Sequence, residues 1–193
     1  MAKIFGIIAL LLIIVGGIFA GIKIGERKNT PTSTSTTSAS STPVNLNDGK
    51  VLDLSNKGLT KVDASIYSQT ATTTLILSYN SISSLPSQMD KMTNLKVLKV
   101  DHNRLEGALI GEIRKMPLRI LDASYNNMTG IPAEIGQLNL LEELNYSYNK
   151  IDTLPNEIFK LTQLKRLDLT GNPMPADKVQ ELRQKLPNTT IVI

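Results

Sequence analysis

From Val44 to the end of the chain the apolar residues fall on a fixed grid. Leu52, Leu75, Leu98, Leu121, Leu144 and Leu167 follow one another at steps of 23 residues. Two positions after each stand Leu54, Leu77, Val100, Ala123, Tyr146 and Leu169. An apolar pair separated by one residue is a short strand with one buried face. Three positions further come Lys57, Asn80, Asn103, Asn126, Asn149 and Asn172, and two beyond those Leu59, Ile82, Leu105, Met128, Ile151 and Met174. An asparagine where the chain leaves a strand has an amide that can pair with backbone groups of the next coil, which would otherwise stay unsatisfied. No single coil buries its own leucines, so the coils must stack. The pattern predicts an α/β solenoid of about six coils, with a parallel sheet along the concave side.

The outer half of several units reads LPxxIxxL or a close variant: Leu85-Pro86 to Met92, Ile131-Pro132 to Leu138, Leu154-Pro155 to Leu161. Together with LxxLxLxxNxL, this resembles the leucine-rich repeat family, in its 23-residue disease-resistance-like and Ras-associated class. The resemblance covers about residues 46–193. It implies a right-handed array with irregular or 3₁₀ turns outside, an asparagine ladder through Asn80, Asn103, Asn126, Asn149 and Asn172, and a protein-binding concave face. Lys57 replaces the first asparagine, as an end coil with one neighbour tolerates. The third unit lacks the proline, and Ile113 falls one place late while Leu118 restores the period; a local outer bulge is expected there. Val179, Leu182 and Leu186 recur at helical spacing between Pro175 and Pro187, and Ile191-Val192-Ile193 fits a final strand. The last 19 or so residues thus resemble the family's C-terminal cap.

Ahead of the repeats lie two segments of other character. Residues 4–22 are 19 apolar residues without a charge, roughly 28 Å as a helix and long enough to span a hydrocarbon core. Residues 1–28 are expected to form a single-pass membrane anchor; the rival is a signal peptide cut after Ala20, which would release a secreted domain. Gly17, Gly21 and Gly25 lie on one face of such a helix and would allow a weak association of helices, although glycine is also simply common in membrane helices. Residues 29–43, with 11 Ser/Thr, two Pro and no charge, have nothing to bury and read as a disordered linker holding the repeat domain (44–193) about 20 Å from the bilayer. Topology cues oppose one another. Lys23, Arg27 and Lys28 after the apolar run favour a cytoplasmic repeat domain. The uncharged hydroxyl-rich stalk favours an extracytoplasmic one, and an extracytoplasmic repeat domain is expected.

Charge and composition remove most other functions. The formal charge of +4 is largely a property of the N-terminal segment, since residues 44–193 carry 17 basic against 16 acidic side chains. No nucleic-acid partner is expected from so even a balance. With no Cys and one His, thiolate chemistry and multi-histidine metal sites are excluded, and none of the common nucleotide-binding or hydrolase signatures occurs. Neither cofactor, metal nor catalytic residue is expected. His102 beside Asp101 is the only conceivable dyad, and adjacent residues at a strand end are expected to diverge. Sequons at Asn127, Asn145 and Asn188 carry no weight, because the motif is common by chance.

Residues between the apolar strand positions are expected to face outward on the concave side. One column is Asp53, Ile76, Lys99, Asp122, Asn145 and Asp168; a second is Ser55, Ser78, Asp101, Ser124, Ser147 and Thr170. A third is Asn56, Tyr79, His102, Tyr125, Tyr148 and Gly171. Four successive coils therefore place a ring in one line, at the coil spacing of about 4.7–4.9 Å. Such a strip suits a protein or glycan partner, with Tyr79, His102, Tyr125 and Tyr148 at its centre and Lys99, Asp101 and Asp122 setting charge preference. The same rings would also serve as a purely structural stack. A second function class stays open: a structural surface protein whose repeats associate with wall polymer, glycan or one another.

Overall fold

A computed structural model describes residues 49–193. The expectations for the apolar run 4–22, its glycines, the linker 29–43 and the boundary at 44 lie outside the described residues. Among the described residues no helix is long and apolar enough to cross a membrane.

The leucine grid builds one parallel sheet. Its strands are β1 (Lys50–Asp53), β2 (Thr72–Ile76), β3 (Val97–Lys99), β5 (Ile120–Asp122), β7 (Glu143–Asn145), β8 (Arg166–Asp168) and β9 (Thr190–Val192). Leu52, Leu75, Leu98, Leu121, Leu144 and Leu167 stand opposite one another along it, the register read from the sequence. The last step alone is longer, Leu167 pairing with Ile191, because the cap helix replaces an ordinary outer turn. The apolar columns of the grid are buried from the second coil on except at Met174 in the last, whereas Leu52, Leu54 and Leu59 of the first coil are only partly so. At about 2 kcal/mol per buried leucine side chain, these columns are the main source of stability.

The outer side returns through 3₁₀ helices at Ser87–Lys91, Gly111–Lys115, Ala133–Gln137 and Asn156–Lys160. Pro86, Pro132 and Pro155 precede three of them with φ between −76° and −68°. Ile110 precedes the other with φ −60° and ψ 140°, so the conformation is set by the coil and proline merely presets it. The irregular third unit is resolved in two places. Ahead of its helix, β4 (Glu106–Gly107) pairs with β6 (Asn127–Met128) as a second, two-stranded parallel sheet; Gly107 turns there at φ +65°. After the helix, Met116 is extended at ψ 137°, where Met92, Leu138 and Leu161 have ψ of 62–71° and begin a turn. The extra residue before the helix is thus absorbed by omitting the turn after it, and the expected bulge is an ordered element.

The asparagine ladder forms at all five positions. Each amide oxygen accepts the N–H of Leu59, Ile82, Leu105, Met128 or Ile151 in the preceding coil, at 2.9–3.0 Å. Each amide nitrogen donates to a carbonyl of that same coil and to one of its own. Asn103, Asn126 and Asn149 are buried, so no water competes for these bonds. The array closes on α2 (Ala176–Lys185), entered through Pro175, with Val179, Leu182 and Leu186 packed on the core end, followed by β9 as the sequence predicts. A short helix, α1 (Ala64–Tyr67), capped by Asp63, forms the outer side of the first coil.

Candidate binding face

The ring column is positioned by an unusual backbone. Asn56, Tyr79, His102, Tyr125 and Tyr148 all have φ between 51° and 57°, and Gly171 has φ 73°. A left-handed residue turns the chain sharply between the strand and the ladder asparagine. For a side chain larger than glycine's it costs about 1 kcal/mol or more. The four rings offset that cost by stacking: Tyr79 on His102 at 4.1 Å, His102 on Tyr125 at 4.2 Å, Tyr125 on Tyr148 at 4.4 Å, all within 18° of parallel. Each aromatic contact contributes about 1 kcal/mol, so the stack and the strain nearly balance. The spacing is tighter than the coil repeat expected from the sequence. Tyr79, Tyr125 and Tyr148 remain about half exposed, presenting ring edges and hydroxyls because their faces cover one another. Desolvation among the rings, together with neighbouring Tyr148, holds the Tyr125 phenol above its ordinary value. The line ends at Gly171, where an added Cβ would come within 2.8 Å of the Tyr148 ring.

Asp101 and His102 do not diverge as adjacent strand-end residues were expected to. The left-handed turn at His102 swings its Nδ1 back to Asp101 Oδ2 at 3.0 Å, and the other carboxylate oxygen accepts from Ser78 Oγ at 2.5 Å, one coil away. The result is a carboxylate that orients an imidazole. Ser78 is bonded to the aspartate and not to the imidazole, so the geometry of an activated nucleophile is not there.

The hydroxyl column is not outward-facing: Ser78, Ser124 and Ser147 are buried. Ser78 bonds the carboxylate of Asp101 and Ser124 that of Asp122. Asp53, Asp122 and Asp168 each accept both the backbone N–H and the side-chain hydroxyl of the Ser or Thr two residues on, and Asn145 accepts the N–H of Ser147. Much of the acidic character assigned to the face, Asp122 included, is therefore committed to shaping the strand end. Lys99 is exposed and forms no ion pair among the described residues.

One column escaped the sequence reading. The residues just before the central leucines, Val97, Ile120, Glu143 and Arg166, lie on this same side of the sheet, Val97 buried and the other three partly or fully exposed. With Lys99, Asp122 and Asn145 they line a shallow depression of ≈190 Å³ over Leu121 and Leu144. Strand alternation carried the signal: a residue two before an outward position also points outward. Arg166 reaches Asp168 at 2.6 Å along the rim. The depression has an aliphatic floor and charges of both signs at its edge, beside a line of tyrosine edges.

Leucine rich repeat profiles match residues 50–105 and 117–174, more than half of the chain. No curated protein matches it. Among solved structures, the plant peptide hormone receptor RGFR1 in complex with RGF2 is 31% identical, with a TM-score of 0.57 over 68% of this chain and 22% of that one. The PEPR1–AtPEP1 structure matches at 25% identity, TM-score 0.57, over 68% of this chain and 19% of that one. An internalin, inlF, from Listeria monocytogenes shares the fold at 18% identity, TM-score 0.57, over 68% of this chain and 37% of that one. The chain thus spans 19–37% of the length of these three structures. It belongs to the leucine-rich repeat family, a family of binding modules and not of enzymes.

Proposed function

We propose that the protein is a membrane-anchored interaction module that holds a protein or peptide partner on the concave face, between the depression and the ring ladder. The observation that carries this reading is the depression itself. Ile120, partly exposed beside the buried Val97, offers an aliphatic floor for one side chain, and Lys99, Asp122, Glu143 and Arg166 offer both charges around it, as a peptide carrying both apolar and charged groups requires. Two solved relatives of the same fold are a peptide hormone receptor with RGF2 and PEPR1 with AtPEP1, which supports a peptide-like partner. A glycan is less well served, because sugars stack on open ring faces and three ring-to-ring contacts consume most of those here. Anchoring through residues 4–22 and an extracytoplasmic domain on the Ser/Thr stalk complete the proposal.

The test is affinity capture with the full chain, followed by titration of the recovered partner. Tyr125→Ala should weaken binding by about 2 kcal/mol, a loss of roughly thirtyfold. Leu140→Ala, an exposed leucine of an outer turn, should leave it unchanged. Affinity that is indifferent to Tyr125 moves the site elsewhere. Protease added to intact cells tests the topology: digestion of the repeats without lysis is expected, and full protection would place them in the cytoplasm.

A further inference from the structure

The near-neutral charge total conceals a sorting by position in the coil. The four 3₁₀ helices end on Lys91, Lys115, Gln137 and Lys160. The residues immediately before β3, β5, β7 and β8 are Lys96, Arg119, Glu142 and Lys165. The two files flank the short turn that leads from each 3₁₀ helix into the next strand, as Thr93 N–H to Lys91 and Leu95 N–H to Met92 close it in one coil. Backbone bonds of 2.8 Å from Arg119 to Lys96, Glu142 to Arg119 and Lys165 to Glu142 show that the second file is a continuous stack, with steps of about 4.8 Å. In the first file Lys115 reaches across one coil to Asp90 at 2.7 Å. Six cations thus face two carboxylates, a net +4 on a strip of a domain whose total is +1. Glu142 is enclosed by Arg119 and Lys165. Lys91, Lys96 and Lys160 are exposed and without an ion pair among the described residues.

We propose that this strip binds a single strand of a linear phosphate polyanion laid along the stacking direction of the coils. The partner's dimensions follow from what borders the strip. On the outer side Glu112, Glu134 and Glu157 occupy the first turns of the 3₁₀ helices, and on the sheet face stand Asp122 and Glu143. A lipid surface broad enough to cover the edge would press its phosphates against those carboxylates, whereas one polymer strand passes between them. Bases find no open platform at Tyr67 or Phe159, whose rings are partly buried against the core with a lysine over each, whereas single-stranded nucleic acid stacks on open faces. Five of the six cations are lysines, point charges that neutralise phosphate without demanding a fixed geometry. Binding would release the polymer's counterions and so depend steeply on salt.

The probe is inorganic polyphosphate titrated against the full chain. Affinity should fall on the order of a hundredfold between about 50 and about 200 mM salt, as roughly four to six neutralised phosphates imply. Lys96→Glu with Lys160→Glu should lose tenfold or more at the lower salt, on the order expected from removing two contacts, and the milder Lys96→Gln with Lys160→Gln a smaller part of that. Lys57→Glu with Lys150→Glu changes the total charge equally at the opposite edge and should lose less than about threefold by the same rule. Unshifted thermal unfolding of each variant shows that the fold is kept. Equal losses from the two glutamate pairs, or no salt-dependent binding, overturn the proposal. So does strip-dependent binding tighter to duplex DNA, or to phosphatidylglycerol over phosphatidylcholine vesicles, than to polyphosphate.

Discussion

The two edges of the sheet carry the same 23-residue period and use it in opposite ways. Where strands end, side chains join the coils: the asparagines lie in the interior with every polar atom paired, and the left-handed residues before them stack ring on ring. Where strands begin, the coils are joined chiefly through the backbone, and the side chains are solvated cations with a few partly exposed ion pairs between coils. Burial makes the difference. A buried amide has no water to fall back on, so its loss leaves donors and acceptors stranded, while an exposed ion pair is nearly replaced by hydration. One edge is therefore fixed by stability, and the other is free to be shaped by what it binds.

The largest expected effect tests the first edge. Asn126 accepts from Leu105 N–H and donates to the carbonyls of Val100, Ala123 and Ser124. Asn126→Ala strands these groups in the interior and should cost about 3 kcal/mol in denaturant unfolding, summing one or two unmet groups. Lys57, at the same position of the first coil, is exposed and should tolerate Ala within about 0.5 kcal/mol. Equal shifts for the two would mean that the ladder is not what holds the coils together.

The strand-end edge, with its ladder and ring columns, was the more legible of the two in the sequence. Spacing alone located the leucines, the asparagines and the cap helix, because burial repeats with the coil and a one-residue error would turn a strand over. The ring line was legible too, but not its left-handed backbone, since tyrosine and histidine are poor residues for that conformation. That same turn brings Asp101 onto His102, which adjacency in an extended strand forbids. The buried serines were misplaced because neighbours off the strand pattern turn them inward: Ser124 bonds Asp122, Ser78 bonds Asp101 one coil away, and the N–H of Ser147 is held by Asn145. The basic strip was invisible for another reason: its charges fall in pairs four or five residues apart, each pair a coil or more from the next, and a sum over the sequence cancels them against carboxylates on other faces.

A smaller effect of opposite sign should appear at Tyr146. It fills the second leucine column beside the small Ala123, fully buried, and its hydroxyl has no hydrogen-bond partner. Burial alone pushes that phenol well above its ordinary value. An unpaired polar atom in the interior costs about 1 kcal/mol or more, so Tyr146→Phe should stabilise the domain by about 1 kcal/mol and raise Tm by about 3 °C. A loss of stability would show that the hydroxyl is satisfied in solution, and that column would then be as polar-dependent as the asparagine edge.

The smallest effect belongs to the strand-start edge and is read in its pH dependence. The hydrogen bond from Lys165 and then that from Arg119 hold the Glu142 carboxyl below the usual glutamate range. A carboxylate whose folded value is depressed contributes stability that is fully present above its unfolded value, near 4.5. That contribution is lost as pH falls through the lower, folded value. Wild type should therefore exceed Glu142→Gln at pH 7 by less than about 1 kcal/mol, as partly exposed ion pairs do. The gap should shrink with added salt and close in thermal scans taken below the folded value. A gap that survives both acid and salt would mean that the Glu142 side chain supports the coils by packing, as the asparagines do, and the contrast between the two edges would be one of degree. If the gap closes as expected, the ion pairs of Glu142 with Arg119 and Lys165 hold little of the fold's stability, and exchanging them for a partner's anions would cost the fold little.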